Sequence, residues 1–208
     1  MSRGNEYDQL RQAVHGSDPA AFAPRALALA GTPVAGAKAP ALADAAGTYR
    51  IASSSRIQFS VGQVGGSGGI AGSFTKFSGI FRIDGDDVGR SSVEFTLFPE
   101  SVRSTERRIE DFLRSSAVFD AANHRTVTFR STGVSQTGPD AATIEGVLTA
   151  RGKSRKERFD VRLTDWNRRS ISFTIRGSIR RSPYGMTVGT PIYSNVVEFD
   201  MNIRGQKR

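Results

Sequence analysis

The chain has no cysteine among its 208 residues. Disulfides and thiolate metal sites are therefore excluded, and the redox compartment is left open. Histidine is scarce too: there are only His15 and His124. Neither has a second histidine at ligand spacing, so no metal site is expected. No apolar run reaches the roughly 20 residues of a membrane-spanning helix. Acidic residues are outnumbered 20 to 29, for a formal net charge of +9. No aromatic-and-basic RNA-binding pattern accompanies that excess, so no specific nucleic-acid partner is expected. Solubility, or weak attraction to anionic surfaces, accounts for it more plainly.

The charge is uneven. Residues 1–47 hold Arg3, Arg11, Arg25 and Lys38 against Glu6, Asp8, Asp18 and Asp44, so the excess lies in residues 48–208. The first stretch is rich in Ala, Pro and Gly and has no amphipathic period. A short apolar patch, Ala26 to Ala30, follows Arg25. Ala43-Asp44-Ala45 has the small-x-small form of a cleavage site. An export leader and a disordered leader remain equal alternatives, and no helix is assigned here.

From Thr48 the chain alternates with period two. Ile57, Phe59 and Val61 begin it, followed by Phe77, Phe81 and Ile83, then Val93, Phe95 and Leu97. Val127 and Phe129 come next, with a further strand at Thr143–Ala150. Phe159, Val161 and Leu163 follow, then Ile171, Phe173 and Ile175. Val197, Phe199, Met201 and Ile203 close the series. Each set turns one apolar face inward and one polar face to water. About eight amphipathic strands can close as a barrel or stack as a sandwich. The weight of Phe on the inner face favours a barrel. So do Gly72, Gly79 and Gly146, which permit sharp bending. Alternation alone favours a fully packed Phe core over a chamber.

The stretch from Ser101 to Thr132 breaks the pattern. Ile109, Phe112 and Leu113 fall at i, i+3, i+4, a helical stripe. Ser104 or Thr105 is placed to cap that helix, with Glu106 in its first turn. A loop with Phe119, Asp120 and His124 leads to the next strand. A helix on a long connection between strands marks a functional segment.

Catalytic motifs do not assemble. Gly66 to Ala71 fits the loose dinucleotide-loop pattern, but strand-like Ser73 to Phe77 follows where a helix is required, so the glycines read as a hairpin. Ser131, His124 and Asp111 lack a nucleophile elbow. The basic run Arg151 to Arg158 reads as a charged hairpin that could also hold an anionic head group. No catalytic residue is expected. An enzyme acting on an apolar small molecule through Asp111, His124 or Arg151 is the alternative.

Several segments together resemble the YceI-like family of lipocalin-like, polyisoprenoid-binding bacterial proteins. Tyr49-Arg50-Ile51 and Ile57 to Val61 resemble its opening strand. Gly72-Ser73-Phe74-Thr75-Lys76-Phe77-Ser78-Gly79 resembles its G-x-F-x-x-F-x-G segment. Ser101 to Thr105, Asp111 to Ser115, Val118 to Ala121 and Thr128 to Thr132 resemble its central signature. Gly146 to Gly152 and Arg181 to Met186 resemble its G-x-L-T-x-R-G and R-S-x-[FY]-G segments. Gln63, Phe112 and Arg125 stand where the family usually has His, His and Pro.

The resemblance implies an all-β, eight-stranded antiparallel lipocalin-like barrel over residues 48–208, with a short helix on the central connection. It also implies a tunnel for an isoprenoid tail. Phe59, Val61, Phe77, Phe81, Phe95, Leu97, Phe129, Phe173 and Phe199 are expected to line it. Phe112, Leu113, Phe119 and Tyr184 are expected near its mouth. The expected ligand is a polyisoprenoid or quinone-type lipid, with no other cofactor. Transient contact with a membrane surface is expected, and a homodimer stays open. The implied location is periplasmic or secreted, with cytoplasmic as the alternative.

Overall fold

A computed structural model of the chain describes residues 41–208. The leader up to residue 40 lies outside the described residues, as does His15. Eleven strands are described: β1 (Gly47–Ile51), β2 (Arg56–Gly62), β3 (Gly69–Phe74), β4 (Phe77–Ile83), β5 (Ser92–Leu97), β6 (Val102–Ser104), β7 (Val127–Gly138), β8 (Ala141–Ala150), β9 (Lys153–Trp166), β10 (Ser170–Arg180) and β11 (Val196–Lys207). The one α-helix among the described residues, α1 (Arg107–Arg114), sits on the connection between β6 and β7.

All pairings are antiparallel, and eight strands close a ring in the order β1-β4-β5-β7-β8-β9-β10-β11. Closure leaves no open edge around this ring. The predicted all-β eight-stranded barrel with a short helix is therefore the observed fold. The count of eleven arises because the first three barrel strands are each broken in two. β11 pairs with β1 through Gly205 to Lys207 and with β2 through Glu198 to Asn202. Between them the chain jogs at Ser55, whose Oγ accepts from the Arg204 N–H at 2.9 Å. A second jog separates β3 from β4, and a third separates β5 from β6. The buried Ser101 side chain stitches these two: its Oγ accepts from the Lys76 N–H and donates to the Phe98 carbonyl.

Beyond the jogs, β2, β3 and β6 continue as a flap, and β6 pairs only with β3. Above the closed ring, the wall is thus unpaired between β6 and β7 at one end, called here the upper end. Helix α1 and residues 115–126 fill that gap. The lower end carries the turns before β1, between β4 and β5, between β7 and β8, and between β9 and β10.

Strand faces alternate as the sequence predicts. In β2, Ile57, Phe59 and Val61 are buried while the residues between them are exposed. Glycines in the strands also serve packing. A methyl group on Gly146 would come within 2.4 Å of the Phe129 ring, and one on Gly205 within 2.4 Å of the Phe81 ring. These positions make room for inward Phe rings, which is a packing role.

The helix starts differently from expectation. Glu106 is its N-cap and no side chain caps it. Ser104 belongs to β6 and its Oγ donates to the Ala71 carbonyl. The acid of the first turn is Glu110. Of the helical stripe, Leu113 is buried and Ile109 half-buried, while Phe112 is 40% exposed.

Candidate functional site: the barrel chamber

Inside the barrel lies a chamber of about 220 Å³. It reaches from Leu42 and Val88 at the lower end to Met186 and Arg181 at the upper end, and nearly every side chain on its wall is apolar. An engineered apolar cavity of roughly 150 Å³ stays dry and takes up benzene. Water has few partners here, so an apolar guest is the occupant that the wall favours.

Ten of the thirteen residues predicted for the site border the chamber: Phe59, Val61, Phe81, Phe95, Leu97, Leu113, Phe119, Phe129, Phe173 and Phe199. Three do not. Phe77 stands behind the wall, its ring stacked on Phe95 at 6.3 Å. Phe112 turns outward from α1, because an eight-residue helix lying over the barrel presents only a narrow stripe inward. Tyr184 is fully buried, but it packs behind Met186 within the upper apolar cluster.

The aromatic wall is built from groups of touching rings. Phe119 meets Phe74 edge-on at 5.5 Å, and Phe74 lies 5.3 Å from Phe59. Phe199 joins Phe59 to Phe159, which meets Phe129 edge-on at 5.4 Å. At the lower end Phe81 bridges Tyr49 and Phe173. Offset and edge-on pairs of this kind add about 0.5–1.5 kcal/mol each beyond area burial. They hold the rings in fixed positions around the open space.

The upper end is closed by connections that polar groups hold in place. Arg181 is 6% exposed and borders the chamber. Its guanidinium donates to the carbonyls of Ser194, Met186, Val188 and Tyr193, at 2.7 to 3.2 Å. Among the described residues no carboxylate pairs with it. Burial draws its pKa below the ordinary arginine value, yet the group stays charged. One cation therefore gathers the whole connection from β10 to β11.

Arg151 works similarly. It opens the β8–β9 turn at φ 50° and donates to the carbonyls of Val118 and Gly185. The guanidinium offered as a head-group or catalytic candidate is thus a tie between three connections. The rest of the basic run, from Lys153, lies in β9. Tyr184 donates from its hydroxyl to Glu157 Oε1 at 2.6 Å. Burial first, and then that bond, push its pKa well above the ordinary tyrosine value.

The other candidates disperse. Ser131 Oγ accepts from the Val93 N–H. His124 lies 3.8 Å from Asp120, and Asp111 pairs with Arg114. No triad forms. The glycine-rich stretch is a hairpin between β2 and β3, with Gly62 opposite Gly69. Leu42, Phe74, Val118 and Met186 also border the chamber without having been predicted. Phe74 lay within a recognised segment and Arg181 opened another, so a role for both was within reach of the sequence. Leu42 gave no signal, because it sits outside any strand.

A closed antiparallel barrel around a largely apolar chamber defines the class: a lipocalin-like barrel. The profile of the YceI-like domain matches residues 49–205, and the chain belongs to that family. A UPF0312 protein of Pectobacterium carotovorum is 27% identical over 157 residues, covering 73% of this chain and 81% of the relative. Among solved structures, Burkholderia cenocepacia BcnA superposes with a TM-score of 0.68 at 21% identity, covering 74% of this chain and 98% of that one. A polyisoprenoid binding domain from Saccharophagus degradans, implicated in plant cell wall breakdown, superposes with a TM-score of 0.62. It is 14% identical, covering 78% of this chain and 99% of that one.

Proposed function

We propose that this protein binds a long-chain polyisoprenoid amphiphile, of quinone or polyprenyl type, inside the barrel and serves as its carrier or reservoir. The observation that carries this reading is the chamber itself: elongated, Phe-walled and nearly free of polar groups. Each CH₂ moved from water into it contributes about 0.8 kcal/mol. Ordering the tail offsets part of that sum. No reacting group is needed for binding of this kind. Family membership and the polyisoprenoid-binding neighbour support the same ligand class.

Exchange with a membrane is part of the proposal. Val64 and Ile192 are among the most exposed large apolar residues described, and the Val64 N–H donates to the Ile192 carbonyl at 2.9 Å. They form a small apolar patch at the upper end of a protein with net positive charge. Delivery in the periplasm or outside the cell fits such a carrier. The test is native mass spectrometry of the purified protein with solvent extraction of what co-purifies. A stoichiometric long-chain isoprenoid is the expected result. An empty protein that also fails to take up added prenols or quinones overturns the reading.

A further inference from the structure

Residues 41–46 precede the barrel strands and lie outside the stretch that defines the family. The sequence places them in the leader, yet they are built into the lower end. Leu42 is 4% exposed, Ala45 is fully buried, and Leu42 borders the chamber. The Leu42 N–H donates to the Pro139 carbonyl at 2.8 Å, which ties the segment to the β7–β8 turn. Ala43–Ala45 form a 3₁₀ turn, and the Ala45 carbonyl accepts from the buried Tyr49 hydroxyl at 2.8 Å. Lys207 Nζ donates to the Ala46 carbonyl from the last strand. Three separate bonds therefore seat a piece of chain that belongs to no strand.

We propose that Leu42 is the end-stop of the tail site and sets the length of isoprenoid that the barrel accepts. The proposal rests on the lipid-binding reading and adds a specificity residue to it. Strand residues around the chamber are fixed by the ladder, so they set its width. Leu42 and Val88, which share its lower end with Ile83, Ser91 and Ser92, come instead from short turns. Leu42 is the one carried on the chain's incoming segment. Shortening it lengthens the chamber, and enlarging it shortens the chamber. A cut after Ala45, at the small-x-small site, would remove Leu42 altogether and uncap this end.

The test uses the full chain and a mixture of all-trans prenols that differ by one isoprene unit, with bound species read by native mass spectrometry. Leu42→Ala is expected to move the preferred length up by one unit. Leu42→Phe is expected to move it down by at least one. The second variant carries the test if the first fails to fold. Wild-type protein that binds prenols, with both variants keeping its length profile, overturns the proposal alone. Wild-type protein that takes up no prenol overturns the lipid-binding reading and this proposal with it.

Discussion

At the lower end the chamber stops against Leu42 and Val88, apolar side chains on short turns. At the upper end it stops against Met186 and Arg181, a buried cation bonded to four carbonyls. Dispersion contacts at the lower end are non-directional, so another apolar group can take their place. Hydrogen bonds at the upper end are directional, and a partner removed from them is not replaced by a lipid tail. The lower end is thus tunable and the upper end is fixed. On the lipid-binding reading proposed above, that division lets tail length vary at one end while the other holds its shape.

The largest expected effect tests this contrast directly. Arg181→Met leaves the carbonyls of Met186, Val188, Tyr193 and Ser194 without their donor. We expect a loss of about 3 kcal/mol or more in urea unfolding. Leu42→Ala removes apolar contact beside a space that already exists, and about 2–3 kcal/mol is expected. Added prenol should restore Leu42→Ala, because a longer tail fills the void and binding stabilises the folded state. It should leave the gap between Arg181→Met and wild type largely unchanged. Equal rescue of both variants would show that the two ends do not differ in kind.

The same contrast explains what the sequence made legible. Alternation in sets such as Val93, Phe95 and Leu97 exposed the strands, and the helical spacing of Ile109 and Leu113 exposed α1. Both signals are local. The breaks within the first three barrel strands were hidden, because Ser55 and Ser101 look like ordinary polar residues until β11 and Lys76 lie beside them. Most of the chamber wall followed from parity. Phe112 did not, because which side of a short helix faces inward depends on where the helix docks. Arg181 stood in a recognised segment, but its hydrogen bonds go to carbonyls, which every residue has, so its partners could not be read. Leu42 depends wholly on tertiary placement. The residues that close the ends were least legible for that reason.

A smaller effect sharpens the upper end. Tyr184→Phe removes one hydrogen bond to Glu157, and about 1 kcal/mol is expected at neutral pH. The folded-state pKa of this tyrosine is raised, so its contribution is fully present below the unfolded value of about 10. It is lost as pH rises above that value. The difference between wild type and Tyr184→Phe should therefore shrink from pH 9 upward, measured by urea unfolding at each pH. A constant difference would mean that the hydroxyl is not held by its buried bond.

The smallest effect compares the two ends under acid. Asp84, on the lower β4–β5 turn, accepts from the backbone N–H groups of Asp87 and Asp86. Glu110, on α1 at the upper end, accepts from the Ser104 N–H and pairs with Arg114 at 3.2 Å. Backbone donation is the first cause that holds each carboxyl below its ordinary pKa: Asp87 N–H for Asp84, Ser104 N–H for Glu110. A depressed pKa contributes stability above the unfolded value, about 3.9 for Asp and 4.3 for Glu, and that contribution is lost as pH falls through the folded value. Asp84→Asn and Glu110→Gln should each lower stability at pH 7 and converge on wild type as the pH falls below 4. Their local consequences should differ. Glu110→Gln releases the clamp between β6 and α1, so faster amide exchange is expected there and in the loop that follows, beside the chamber. Asp84→Asn loosens a turn whose Val88 is held by other contacts, and exchange should rise only between residues 84 and 91. If Asp84→Asn also speeds exchange in residues 105–126, the two ends are coupled through the wall, and the division between a fixed end and a tunable one fails.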